Sequence, residues 1–566
     1  MPSPDNQETT YLDEWPNDGY IEDELTRLDH YYNQSLSSLF DWRPHQEETG
    51  WDPLVRLTQQ LSGLRDFVWA CDTQIRPAVL DAVSSLSLVR LHIRGFTLPS
   101  LYQVPRRPQP VSKPDYALAT SRCLDSVLVP LSYFNAEGVE YDEEAVMQMA
   151  AGMAPNLAHM HVVYRPVESR SHYHRARSAF RPRWRGFFLN DRLKNEKQIH
   201  LQTWSLSPAS VEPFKKWAKH IVFFELKALH LWEATTGALN LARATQLLSL
   251  KTLALHFKPS PGEDPSLLDQ TASLFIAEID SNLESLHFSG LLTGIKTFLA
   301  LLHHHGKSLR KLSLTSPDKH SPAGPWMTVT HISQIAVTCP YIQSLRLTLG
   351  RTQSDHQEAS MYKALGEFPN LKDLLLHLEL AKPRPQPPPW DLPSPFEIRY
   401  VPRMWGEPVL SIKPDSREGK ECRDVLINTA IDEVLARTIF RTIVRSGACS
   451  LQNLKLVPNT DADSVTYSAM EWVVLRMARE WECVRVAGVE GVDPRGREYG
   501  VIVRDLGRKE RVFNESLDIK ERKPIWGFQK PDWVNWLGRF DEGFSAIWPA
   551  RRLNWVEDWR SFPLQI

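Results

Sequence analysis

Residues Asn370–Leu380 read NLKDLLLHLEL, and Ser308–Pro317 read SLRKLSLTSP. In both, a leucine is followed by two other residues, a second leucine, one other residue and a third leucine. The last two are two positions apart, so on a strand they point to the same side. The same spacing of apolar residues recurs at Leu64-Phe67-Trp69, Leu88-Leu91-Ile93, Leu124-Val127-Val129, Leu157-Met160-Val162, Leu201-Trp204-Leu206 and Leu226-Leu229-Leu231. It continues at Leu250-Leu253-Leu255, Leu283-Leu286-Phe288, Leu309-Leu312-Leu314, Ile342-Leu345-Leu347, Leu371-Leu374-Leu376 and Leu451-Leu454-Leu456. Successive copies start 24 to 44 residues apart, until the last, which lies 80 residues on. One copy means little by itself. Twelve of them indicate an internal repeat.

The segments between copies change period. Glu143–Ala154, Leu267–Asp280, Ile295–His303, Val329–Val337 and Ile431–Val444 carry apolar residues at helical spacing. Strand and helix therefore alternate, and neither buries its apolar side alone. Stacking the units yields one continuous core, with parallel strands on an inner curve and helices outside.

These residues resemble the leucine-rich-repeat family, and the irregular spacing is most similar to the repeat regions of F-box/LRR proteins common in fungi. The likeness covers roughly residues 54–460. It implies an α/β fold, a curved solenoid with strands on the concave side and helices on the convex side, and an intracellular interaction role. The family's Asn or Cys, three residues past the last strand leucine, is replaced here by Phe96, Ala234, Lys258, Leu291, Pro317, Gly350 and Glu379, while Asn459 retains it. Irregular repeats are the expected result. The F-box/LRR likeness also implies a substrate receptor of a ubiquitin ligase, held by a Skp1-type adaptor, yet residues 1–60 contain no Leu-Pro-x-Glu start of an F-box.

Three insertions interrupt the array, at 104–116, 163–199 and 381–425. The first and last are proline-rich, as in VPRRPQPVSKPDY from Val104, and proline cannot continue a helix or a central strand. Within the second, Arg165–Arg185 contains seven arginines against the single acid Glu168. Arg175, Arg177, Arg181, Arg183 and Arg185, interleaved with aromatics, form a candidate anion-binding loop, or else a solvated loop. Residues 1–53 read as an acidic, partly disordered or helical segment. Residues 461–566 read as an α+β, Trp-rich cap over the end of the array, with a helix at Trp472–Trp481 and strands at Cys483–Val486 and Tyr499–Val503.

Composition narrows the function classes. The 566 residues are 42% hydrophobic, and 66 Lys plus Arg nearly balance 68 Asp plus Glu. No global field therefore favours nucleic acid. Six scattered cysteines suit neither a disulfide framework nor a zinc site, and no apolar run is long enough for a membrane span. The expectation is a cytoplasmic or nuclear protein with no cofactor. Gly306-Lys307-Ser308 lacks the first glycine of a phosphate loop, and no hydrolase or zinc-protease motif is present. The chain is accordingly read as a non-enzyme.

If the leucines point inward, the residues between them form the opposite face. Arg90, His92, Arg94, His161, His230, Trp232, His256, His287, Arg346 and His377 fall there and are the candidate partner-binding residues. The expected function is a protein-interaction scaffold using that face. The alternatives are an enzyme whose site assembles in space near these histidines, and phosphate or nucleic-acid binding through the Arg-rich loop.

Overall fold

The computed structural model describes residues 48–71, 74–101, 111–131, 141–164, 184, 186–187, 198–257, 263–290, 295–315, 327–380, 417–448, 450–459, 478–506, 547–548 and 559–566. The chain forms two units, one of Met1–Leu157 with Arg165–Asn195, the other of Ala158–Tyr164 with Glu196–Ile566.

In the first unit, β1 (Asp66–Trp69), β2 (Arg90–Ile93) and β3 (Leu124–Leu131) lie parallel in that order. Helices α1 (Asp52–Gln60), α2 (Pro77–Ser84), α3 (Lys113–Ala119) and α4 (Asp142–Gln148) alternate with them. Helix α3 begins inside the first proline-rich stretch. Pro114 sits in its first turn, where no N–H is missed, and the Ser112 side chain accepts from the Asp115 N–H.

In the second unit the parallel strands are β4 (His159–Tyr164), β5 (Thr203–Ser207), β6 (Ala228–Ala234), β7 (Thr252–Phe257), β8 (Ser285–Ser289), β9 (Lys311–Thr315), β10 (Ser344–Gly350), β11 (Asp373–Glu379) and β12 (Asn453–Asn459). Helices α5 (Val211–Ala218), α6 (Thr236–Arg243), α7 (Pro265–Ala277), α8 (Ile295–His305), α9 (Val329–Thr338) and α10 (His356–Ala364) each follow one strand from β5 to β10. Two helices, α11 (Arg417–Thr429) and α12 (Glu433–Arg445), precede β12. Side chains open several of these helices. Asp264, Asp355 and Asp432 accept from N–H groups of the first turn, and Thr328 forms a capping box with His331.

Successive helices pack on one another from α5 to α10, and α10 packs on α12. They therefore share one face of the sheet. The leucines explain why. Leu229, Leu253, Leu286, Leu312, Leu345, Leu374 and Leu454 pair in one unbroken line across β6–β12. Leu231, Leu255, Phe288, Leu314, Leu347, Leu376 and Leu456 form a second line two residues on. All fourteen are buried. Met160 with Trp204, and Val162 with Leu206, extend both lines to β4 and β5.

The array ends in an antiparallel hairpin, β13 (Trp481–Val492) and β14 (Glu498–Asp505), which pairs β13 with β12 and rests on α12. Both strands expected of this region are present. Trp481, expected at a helix end, instead opens β13 and is buried, its indole N–H donating to the Ile431 carbonyl at 2.7 Å. Ala478, Arg479 and Glu480 before it are not helical either, while residues 472–477 of that expected helix lie outside the described residues, as do Trp526, Trp533, Trp536 and Trp555. The third insertion also differs from expectation, since α11 starts within it. Near the end of the sequence, Ser561 hydrogen-bonds Asp432 through N and Oγ, and the Gln565 N–H donates to the Ser354 carbonyl.

Candidate binding face

The strand residues between the leucines form rows on the opposite face of the sheet, which is helix-free among the described residues. One row pairs His161, Ser205, His230, Ala254 and His287 across β4–β8, then Ser313, Arg346, Leu375 and Lys455 across β9–β12. Imidazoles alternate with small side chains. Neighbouring strands are only about 4.8 Å apart, so large rings on every strand would collide, whereas each ring here leans over a small neighbour. His161 and His230, two strands apart, bring their ring centroids to 6.0 Å, stacked at 27°.

The face is not uniformly open. His230 is 0% exposed, and His161, Trp232, His256 and His287 are also buried. From β9 onward the face opens: Arg346 and His377 are half-buried, and Lys455 is exposed. Strand periodicity shows which face a residue occupies, but not how deeply it is buried there.

Burial sets the electrostatics. The His230 imidazole is held well below its ordinary value, first by burial and then by His161, His287 and His159. Burial, then Arg346, His256 and His377, lowers His287 to about 3. Burial followed by Arg346 lowers His377 to about 4. All three are therefore neutral at pH 7. His287 Nδ1 lies 2.7 Å from Ser313 Oγ, but its Nε2, both His230 nitrogens and the Trp232 indole nitrogen have no hydrogen-bond partner among the described residues. The Glu233 N–H donates to His256 Nδ1 at 3.2 Å.

In the first unit His92 is buried, Arg90 exposed and Arg94 half-buried. His92 Nε2 lies 3.0 Å from Asp66 Oδ1, and its Nδ1 lies 2.8 Å from Ser126 Oγ. Burial pulls the Asp66 carboxyl upward, but hydrogen bonds from Arg90 and His92 outweigh it and hold the group below its usual value. A hydroxyl, an imidazole and a carboxylate thus line up across β3, β2 and β1. Asp125 Oδ2 is a second carboxylate 3.7 Å from His92 Nδ1.

Arg175, Arg177, Arg181, Arg183 and Arg185 lie outside the described residues. Among the described residues no group of three His, Cys, Asp or Glu is placed to hold a metal ion, and no helix is long and apolar enough to cross a membrane. Compared with the models of known protein families the chain matches none, and no curated protein matches it either, so the assignment of this face rests on its geometry.

Proposed function

We propose that the chain is a leucine-rich-repeat solenoid that binds a partner protein on the helix-free face of its sheet, in the half-exposed part over β9–β12. The observation that carries this reading is the registered row Ser313–Arg346–Leu375–Lys455. It offers a guanidinium, an ammonium and an apolar side chain on consecutive strands, held by the buried leucine lines behind them. Interfaces use such mixtures, with arginine among the usual anchors. In the narrower form of the proposal the partner is a substrate delivered to a ubiquitin ligase, which requires residues 1–53 to bind a Skp1-type adaptor.

The test is capture by the full chain of proteins from its native host, comparing wild type with R346E/K455E and with K363E, a change at an exposed residue of α10. Proteins retained by wild type and K363E but lost with R346E/K455E support the face. An identical captured set from all three refutes it. Absence of the adaptor from the wild-type set refutes the narrower form alone.

A second reading, acyl transfer, is favoured by one observation, the Ser126–His92–Asp66 line. It resembles a nucleophile, a base and an orienting carboxylate. A fluorophosphonate that labels wild type but not S126A supports it. Equal labelling, or none, discards it.

A further inference from the structure

The buried rings on β6–β8 pack in an unusual state. His230 is wholly buried between neighbours, and neither ring nitrogen has a hydrogen-bond partner among the described residues. Trp232, on the same strand, sets its indole 5.9 Å from the His256 ring and 6.3 Å from the His287 ring. Its N–H and Nε2 of His287 are likewise unpartnered. Native proteins rarely leave buried polar atoms unsatisfied, and each such atom costs free energy.

The described groups that act on His230 are His159 and His161 of β4 and His287 itself, and those that act on His287 are His256 of β7, Arg346 of β10 and His377 of β11. All are bases. A proton arriving on either ring finds no carboxylate among them to offset its charge, and on His287 it meets the Arg346 guanidinium as well. Ser205 and Ala254, the row neighbours on β5 and β7, bring no charge that would compensate. This packing is compatible only with neutral imidazoles.

We propose that His230 and His287 make this part of the helix-free face an acid-sensitive element, packed at neutral pH and opening with proton uptake as the pH falls. The proposal rests on the reading of that face as the partner-binding surface and names its regulation. His287 bonds Ser313 on β9, and Ser313 pairs with Arg346. The element therefore adjoins the half-exposed row directly, and its opening releases a partner held there.

The direction follows from linkage. Both imidazoles lie below their ordinary value of 6.5 in the packed state, so the opened state binds more protons whenever the pH is below about 6.5. For each proton taken up, the opening constant rises about tenfold per pH unit of acidification. Two imidazoles give about a hundredfold per unit.

Amide hydrogen exchange on the full chain, with labelling times matched for the intrinsic rate at each pH, reads this directly. Peptides covering Ala228–Ala234, Thr252–Phe257 and Ser285–Ser289 are expected to lose protection about a hundredfold per unit between about pH 6 and about pH 4, before the chain unfolds globally. H230F replaces the ring with one that cannot take a proton, and its slope should fall to about tenfold per unit. H287F should show the same loss. A wild-type slope in either folded variant, or β6–β8 protection that persists in wild type until global unfolding, overturns the proposal. The wild-type slope alone decides if neither variant folds. No partner is present in this experiment, so its failure leaves the capture result with R346E/K455E standing, and the reverse also holds.

Discussion

Arg351 and Glu358 form an ion pair inside the second unit, with Nε 3.4 Å from Oε1 and side chains 0% and 1% exposed. The pair fixes the turn between β10 and α10. Glu358 Oε2 accepts from the backbone N–H groups of Thr352 and Ser354, both at 2.9 Å, and Oε1 accepts from the Tyr362 hydroxyl. Gln353 and Ser354 are held at φ 63°, a region that non-glycine residues enter only under constraint. Replacing Glu358 with Gln leaves the Arg351 cation buried without its counter-charge, an imbalance worth about 3–5 kcal/mol. Chemical denaturation should show that loss for E358Q, and a smaller one of about 1 kcal/mol for Y362F, which removes one hydrogen bond. Equal, small losses in both variants would show that the ion pair contributes little.

Gly290 ends β8 at φ +99°, and a Cβ built there would lie 2.3 Å from the Phe257 carbonyl oxygen. Both the left-handed backbone and the contact exclude a side chain. G290A should destabilise the protein by about 2–3 kcal/mol. At Gly63 an added Cβ meets nothing within 4 Å, so G63A serves as the control. If the two variants unfold at the same denaturant concentration, the close passage of β8 over Phe257 is wrong.

The leucine lines are legible in the sequence because burial demands one residue type at one spacing, strand after strand. That spacing alone sets Leu253, Leu286 and Leu312 side by side. The helix-free face is legible only in position. Its residues follow from strand alternation, but the burial of His230 depends on side chains far away in the chain, such as His161 stacked on it, which no local spacing encodes. The Ser126–His92–Asp66 line is not legible at all. Aligning the repeats by their apolar pattern sets His92 opposite Leu128, whereas the observed ladder, with a register shift between Leu91 and His92, pairs it with Ser126. The apolar pattern specifies which positions are buried, and it does not specify where a ladder slips between two strands. Trp481 misleads for a related reason: a bulky apolar residue at a boundary suits the end of a helix and the start of a strand equally.

The cysteines should differ sharply in reactivity. Cys71 is exposed, whereas Cys339 and Cys483 are buried. Burial pushes the Cys483 thiol up to about 12; Arg437 opposes the shift, and Glu482 and Glu433 add to it. Burial also raises Cys339. Because the thiolate is the nucleophile, both buried thiols should be inert near neutral pH. Peptide mass spectrometry after a brief maleimide pulse should find Cys71 modified, and Cys339 and Cys483 modified only after denaturation. Native labelling of Cys483 at a rate close to that of Cys71 would contradict its place in β13 against α12.

Acid should act on the β13–β14 hairpin later than on the imidazole row. The Asp493 side chain is fully enclosed at the turn, where Arg485 and Arg497 donate to Oδ2 at 2.8 and 3.0 Å. The backbone N–H groups of Arg495 and Arg497 donate to Oδ1. Burial pulls this carboxyl upward, but the four donating groups outweigh it and hold the acid well below its ordinary 3.8. A depressed acid stabilises the fold above its unfolded value and loses that contribution as the pH falls below it. Hydrogen-exchange protection at the hairpin tip should therefore be flat from about pH 8 to about pH 5 and decline only below about pH 4. By then β6–β8 should already be open. D493N weakens the same contacts without acid, so at pH 7 its hairpin peptides should resemble those of wild type at low pH, with β6–β8 unaffected. Loss of protection in both regions at one common pH would mean that a single global transition governs the acid response, and that neither the imidazoles nor Asp493 acts locally.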